Sequence, residues 1–311
     1  MPRINISRPF RWPCMRAALV CAMTVCLTLV SAVHAEAQSP LARVKALGLE
    51  KMTVGRVTVH FASADLNRAE QLATLAESAA VFLEKELGTS LDLSLAVLEP
   101  DDWFSDYPGT PYAIPWESEP DHLIMMPSSL REGILIRGPS EMDDRRRIDF
   151  VLLHEYGHLV ASDYFRSDSN PEYLSGVPWF EELLATYFGY AFVHSSDTAW
   201  AAAARREWLG EVKAFTPREL SLDWSFMRDL PGPEIARTYG WYQFMLNLRV
   251  ADIYDQRGLG FLRELKNELP WNDSHNWTTA SLLPLLEGVS PGFEHWAESL
   301  QNVYGKQAKG N

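Results

Sequence analysis

Residues 150–161 read FVLLHEYGHLVA, and the predicted fold and function of the chain depend on this stretch. It places His154 and His158 four positions apart, with Glu155 directly after the first histidine. On a helix, side chains four residues apart leave the same face one turn apart, so both imidazoles can reach a single ion. Two histidines and a carboxylate in so apolar a stretch need partners, and a metal ion is the simplest one.

Glu155 carries a different prediction from the two histidines. It lies on the neighbouring flank of the helix, where a carboxylate can contact metal-bound water without being a ligand. Zinc lowers the pKa of such a water, and a nearby glutamate takes its proton during attack on a carbonyl. The pattern predicts one Zn²⁺ per chain and Glu155 as general base. The alternative is a pair of hydrogen-bonded core histidines.

A catalytic zinc site needs a third protein ligand and one open position. In a longer form of the motif the third ligand is a histidine six residues on, but that position is Tyr164 here. The next candidates are Glu181 and Glu182, in the stretch PWFEELLATY at residues 178–187. This stretch predicts a second helix.

Helix geometry separates the two glutamates. Small residues share the face of Glu182 and accompany the histidines on the first helix: Gly157, Ala161, Ala185, Thr186 and Gly189. Two such faces allow close approach of the helices, which a carboxylate needs to reach an ion held by the other helix. Glu182 is therefore the predicted ligand. Glu181 shares its face with Leu184 and Phe188 and is predicted to be structural.

The two motifs also resemble a known family. HEYGH followed by WFEELLATY is similar to the gluzincins, the thermolysin- and aminopeptidase-like zinc metallopeptidases of the MA clan. Their second motif commonly reads W-x-x-E-G-x-A, and its glutamate binds zinc. Trp179 and Ala185 align with that pattern and place the ligand at Glu182, whereas Leu183 stands where the glycine usually is. The resemblance implies a zincin-like fold and a peptide or protein substrate.

The resemblance also implies a further catalytic residue. In these peptidases a tyrosine or histidine from the C-terminal helices often stabilises the oxyanion. Residues 237–244, RTYGWYQF, place Tyr239 and Tyr242 on one predicted helix. A phenol is a suitable donor to developing negative charge. Tyr239 is the preferred candidate, and the alternative that both tyrosines only pack remains open.

The rest of the chain predicts a mixed α+β fold. Strands are predicted at residues 56–62, 91–98 and 122–126, helices at 65–87, 141–163 and 178–194, and a loop at 101–119. Ser140 with Asp143 resembles a capping box for the helix predicted at 141–163. We expect a single catalytic domain over residues 38–311. It would have a sheet-containing lobe at 38–139 and a helical lobe with the zinc site at 140–311.

The N-terminus has the order of a secretory signal. A basic segment with four arginines is followed by an uncharged, mostly apolar run at residues 17–33 and then by small residues near position 37. A signal peptide at residues 1–37 predicts a secreted or periplasmic protein. The alternative is an uncleaved anchor, for which ~20 apolar residues are usual. The three cysteines, Cys14, Cys21 and Cys26, all lie in this segment, so no disulfide is expected after cleavage.

The charge balance limits the partners. The chain has 28 Lys and Arg against 41 Asp and Glu, a formal net charge of −13. Such an acidic surface repels phosphate, so nucleic acid is not an expected partner, and no membrane association is expected after signal cleavage. The expected partner is a peptide or protein substrate. The sequence leaves open the oligomeric state, the substrate and the choice between internal and terminal cleavage.

Three other interpretations compete with a zinc peptidase. One is a secreted binding or scaffold protein on a peptidase-like fold. Glu155 argues against it, because a protein without catalytic activity does not need a general base. A structural zinc site normally has four protein ligands, and only three are found. A zinc amidase or esterase remains open, since the same chemistry attacks other carbonyls.

Overall fold

The structure is a computed structural model that describes residues 39–89, 91–104, 115–128, 142–166, 177–217, 221–222 and 232–300. Apart from Ser39, these residues belong to one compact unit that spans residues 40–311. The predicted signal at 1–37 and the predicted cap at Ser140 lie outside the described residues. In the described part, no helix combines the length and the apolar character that crossing a membrane requires.

The mixed α+β class predicted from the sequence is confirmed. The helices and strands are α1 (Pro40–Ala46), β1 (Glu50–Val54), β2 (Val57–Phe61), α2 (Leu66–Leu87), β3 (Leu93–Leu98), β4 (Trp116–Ser118), β5 (Leu123–Pro127), α3 (Asp144–Phe165), α4 (Pro178–Ser196), α5 (Thr198–Ala214), α6 (Gly232–Arg257), α7 (Gly260–Glu268), α8 (Thr279–Val289) and α9 (Phe293–Ser299). Strands come first and helices dominate from α3 onward.

The five strands form one sheet in the order β1-β2-β3-β5-β4. The three predicted strands are its centre: β2 pairs with β3 and β3 with β5, both in parallel. The two outer strands are antiparallel to their neighbours and were not predicted. The prediction of loop throughout 101–119 is wrong for β4, which has only three residues and therefore no readable alternation.

Both faces of the sheet are covered, as the alternation of side chains in a strand requires. Leu95 and Val97 of β3 belong to the main hydrophobic core, which includes α2 to α9. Ala96 and Leu98 of the same strand belong to a smaller core that also contains Val44 of α1. The helix α2 ends where predicted, because Gly88 takes the left-handed conformation with φ 73°.

The helix α3 begins at Asp144, three residues later than predicted. Its N-cap is Asp143, whose carboxylate accepts from the backbone N–H of Arg146 at 2.8 Å. A carboxylate at this position satisfies one of the free N–H groups of the first turn. The second predicted helix is α4, which begins with Pro178 and runs two residues beyond the predicted end.

The expected close approach of α3 and α4 is present. The backbone of α3 at Gly157 lies against the backbone of α4 at Ala185, and Gly189 lies against Leu153 in the same way. In α4 every residue from Leu183 to Val193 is buried. The two helices therefore cross in the core with almost no side chain between them, and the histidines of α3 reach α4 at this crossing.

Candidate metal centre

Three metal-ligating side chains converge where α3 crosses α4. His154, His158 and Glu182 each offer one donor atom, and these atoms all lie within 4.8 Å of one another. The Nε2 atom of His154 is 2.9 Å from Oε2 of Glu182, and Nε2 of His158 is 3.6 Å from the same oxygen. The side chains are 12%, 21% and 16% exposed, so the cluster is enclosed but reachable from solvent.

The donor set and its spacing fit zinc. Imidazole nitrogen and carboxylate oxygen are its usual ligands, and atoms about 2.0 Å from a tetrahedral ion are about 3.3 Å apart. The separations of 2.9 and 3.6 Å bracket this value. Among the described residues, His154, His158 and Glu182 form the group of metal-ligating side chains that are placed to hold an ion. Three protein ligands leave one position of a tetrahedral ion open.

Two residues of α6 support the carboxylate of Glu182. The hydroxyl of Tyr239 donates to Oε1 of Glu182 at 3.0 Å. The amide of Gln243 donates to Oε2 of Glu182 and also to the Tyr239 hydroxyl, the latter at 2.8 Å. These hydrogen bonds hold both carboxylate oxygens in place, which is how outer residues orient metal-ligating carboxylates.

Two further residues support His154. Its Nδ1 atom lies 3.1 Å from the hydroxyl oxygen of Thr186 on α4. That hydroxyl donates in turn to Oδ1 of Asn247 on α6 at 3.0 Å. Both residues are buried, Thr186 completely and Asn247 with 7% of its surface exposed. The imidazole is thus held at the nitrogen that faces away from Glu182.

The two candidate tyrosines are in different environments. Tyr239 contacts Glu182, whereas Tyr242 is buried and its hydroxyl accepts from the backbone N–H of Ser221 at 2.7 Å. Glu181, the predicted structural glutamate, is outside the three-residue cluster. It lines a pocket beside His158, together with Glu117, Glu119 and Ser162.

The cluster concentrates negative charge, which favours a cation. Burial raises the pKa of Glu182, but the neighbouring imidazoles of His154 and His158 outweigh burial and hold that pKa well below its ordinary value. Burial lowers the pKa of His158, yet the carboxylates of Glu182, Glu155 and Glu117 raise it overall to about 9. Burial dominates at His154, whose pKa is lowered.

Glu155 is partly buried on the neighbouring flank of α3. Burial raises its pKa well above the ordinary value, His158 lowers it, and the charges of Glu117 and Glu182 raise it further. Glu155 is therefore electrostatically coupled to the cluster without being one of its three members. A carboxyl group with a strongly shifted pKa beside a metal site has the properties expected of an acid–base catalyst.

The sequence predictions missed three of the supporting residues in this role: Thr186, Gln243 and Asn247. Two signals point to them in hindsight. Thr186 follows Glu182 by four residues and shares its helical face. Tyr239, Gln243 and Asn247 also follow one another at intervals of four, and so lie along one face of α6.

Comparisons with known proteins find distant likeness among solved structures. No protein-family model matches the chain, and no curated protein matches it in sequence. A solved structure of an M1 zinc metallopeptidase from Deinococcus radiodurans, a mutant bound to a Tyr-Ser-Ala substrate, is similar at a TM-score of 0.40 with 16% sequence identity. The similarity covers 81% of this chain and 50% of the other, so the chain spans about half the length of that protein.

Proposed function

We propose that this chain is a zinc-dependent peptidase with the metal on His154, His158 and Glu182. The observation that carries the proposal is the convergence of these three side chains from two helices on one point. Their donor types suit zinc, and the set of three leaves room for a reacting group. Bound zinc would polarise a carbonyl and lower the pKa of a coordinated water.

The residues around the cluster would take distinct roles. Glu155 would accept a proton from the attacking water and pass it to the leaving amine. Tyr239 would turn its hydroxyl proton from Oε1 of Glu182 to the negative charge that develops on the substrate oxygen. Burial and the charge of Glu182 raise the pKa of Tyr239 well above its ordinary value, so the phenol keeps its proton at neutral pH.

Catalysis is favoured over a structural zinc site for two reasons. A structural site is normally closed by four protein ligands, and the described residues contribute three. The cluster also adjoins a pocket lined by Glu117, Glu119, His158 and Ser162, which we propose as the path of the substrate to the ion. For the protein's location we propose secretion or export to the periplasm, on the basis of the signal-like residues 1–37.

The experiment is a digest of a peptide mixture by the zinc-loaded protein, read by mass spectrometry. We expect new peptide fragments with wild type, and at least about a 100-fold slower reaction with Glu155→Gln, because general base catalysis contributes that much. A chelator should abolish cleavage, and added zinc should restore it. Intact peptides in the presence of zinc-loaded wild type would contradict the proposal. Cleavage of ester or simple amide substrates alone would identify an esterase or amidase instead.

The Glu155→Gln variant also separates chemistry from metal binding. It should keep its zinc, because Glu155 is not among the three converging donors. If the variant loses the metal, slower cleavage says nothing about proton transfer, and Glu155 then belongs to the ligand set. If it keeps the metal and cleaves as fast as wild type, Glu155 is not the base.

A further inference from the structure

A line of hydrogen bonds leads from the candidate metal centre into the core. Its members are His154 on α3, Thr186 on α4 and Asn247 on α6, so it joins three helices. Thr186 is fully buried and Asn247 nearly so. Asn247 is one hydrogen bond further from His154 than Thr186 is.

The number of protons on each group determines which group donates in each of these hydrogen bonds. A threonine hydroxyl has one proton, and that of Thr186 is donated to Oδ1 of Asn247. The Thr186 oxygen must therefore accept from His154, which requires the proton of the neutral imidazole to be on Nδ1. A neutral imidazole has only one N–H group, so Nε2 is left with a free lone pair.

The free lone pair points at the proposed metal position. Nε2 of His154 faces Oε2 of Glu182 at 2.9 Å, and a carboxylate oxygen also offers only lone pairs. Two acceptors at this distance repel each other unless a cation lies between them. We propose that Thr186 and Asn247 act as positioning residues that fix the tautomer of His154 and so keep Nε2 available to the metal.

Asn247 decides between two possible directions. If its amide nitrogen faced Thr186, the amide would donate, and the Thr186 proton would then point at Nδ1 of His154. The imidazole proton would move to Nε2, and that nitrogen could no longer bind a metal. Replacing Asn247 by Asp distinguishes these cases, since a carboxylate accepts but does not donate.

The inference deepens the proposed function and rests on it for the identity of the metal. The protonation of the two ring nitrogens is measured on zinc-loaded protein by ¹⁵N NMR of histidine at neutral pH, with His154→Gln to assign the signals. For wild type we expect a protonated Nδ1 and an unprotonated Nε2 at His154. This readout does not depend on activity, so its failure and the failure of the peptidase proposal are distinguishable.

Four variants test this line of hydrogen bonds. Thr186→Val and Asn247→Leu should disturb the His154 tautomer and weaken zinc binding about 10- to 100-fold, the usual effect of losing a residue that orients a ligand. Thr186→Ser and Asn247→Asp keep the acceptors and should retain both the tautomer and the affinity. Thermal unfolding of each variant confirms that it is folded.

Three results would overturn the proposal. One is a protonated Nε2 at His154 in zinc-loaded wild type. Another is unchanged tautomer and zinc affinity in Thr186→Val or in Asn247→Leu. The third is a loss of the tautomer in Asn247→Asp as severe as in Asn247→Leu, because the amide would then be acting as a donor.

Discussion

Gly157 of α3 is in direct backbone contact with Ala185 of α4: a Cβ added at Gly157 would lie 2.9 Å from the Ala185 Cα. Real Cβ atoms do not approach other atoms so closely, so only glycine is compatible with this crossing. The contact lies one residue before His158 and three residues after Glu182. It therefore sets the distance between the two helices that supply the metal ligands.

Gly157→Ala should separate these helices and damage the candidate metal centre. We expect a loss of about 1–3 kcal/mol in the free energy of unfolding, because the atoms that the new methyl group meets are backbone and cannot rotate away. Zinc affinity should fall as well, since Glu182 would be drawn away from the histidines. Urea unfolding and zinc titration measure the two effects.

Gly210→Ala is the matched control for this variant. Gly210 is also helical, in α5, but a Cβ there would have no atom within 4 Å. The substitution should be neutral or stabilise the protein by up to about 1 kcal/mol, because alanine is the better helix former. If Gly157→Ala behaves like Gly210→Ala in stability and zinc affinity, the crossing is not the constraint described.

Tyr239→Phe should reduce peptide hydrolysis even when the variant is saturated with zinc. The variant loses only the hydroxyl that contacts Glu182, and removal of one donor to an oxyanion typically slows a reaction about 100- to 1,000-fold. The measurement is kcat together with bound zinc per chain. A variant with full activity would remove Tyr239 from the proposed machinery.

Tyr242→Phe is the control on the same helix. Its hydroxyl accepts from Ser221 in the interior, away from the metal ligands. We expect a stability loss of about 1 kcal/mol from the missing hydrogen bond, with kcat close to wild type. The opposite pattern, with activity lost in Tyr242→Phe and kept in Tyr239→Phe, would exchange the roles of the two residues.

Stability should depend on pH through Glu287. Its carboxylate accepts from the backbone N–H groups of Gly292 and Glu294, which lowers its pKa below the ordinary value. A lowered pKa stabilises the folded state above the ordinary value of about 4.3, and this contribution is lost as pH falls through that region. Glu287→Gln should therefore lower Tm at neutral pH and converge with wild type in acid.

Thermal unfolding of both proteins from about pH 3 to about pH 7 measures this difference across the relevant range. Glu298→Gln, at an exposed position of α9, removes the same charge for comparison. A difference in Tm between wild type and Glu287→Gln that stays constant over the whole range would show that the carboxylate charge of Glu287 is not responsible.

Local sequence signals predicted the parts of the fold that they directly control. Alternating apolar residues identified β2 and β3, a short apolar run before Pro127 identified β5, and Gly88 identified the end of α2. The edge strands β1 and β4 were missed. The first has a mostly exposed, polar pattern, and the second has only three residues, so their pairing depends on neighbours that are distant in sequence.

The candidate metal centre was also predicted only in part. Helical spacing brought His154 and His158 together, and small residues indicated the close crossing that delivers Glu182. Thr186, Gln243 and Asn247 were not predicted in their supporting roles, because a threonine or an amide in a helix gives no local sign of what it will contact. Their partners are decided by how α6 packs on α4.

The most direct test of the account is the metal content of the purified protein, measured for wild type, Glu182→Ala and Glu181→Ala. We predict near-stoichiometric zinc in wild type and in Glu181→Ala, and little or none in Glu182→Ala. The neighbouring glutamates differ by one position, so the comparison isolates the ligand from the general effect of losing a carboxylate. Absence of zinc from wild type even after refolding with the metal, or its retention in Glu182→Ala, would contradict the proposed centre.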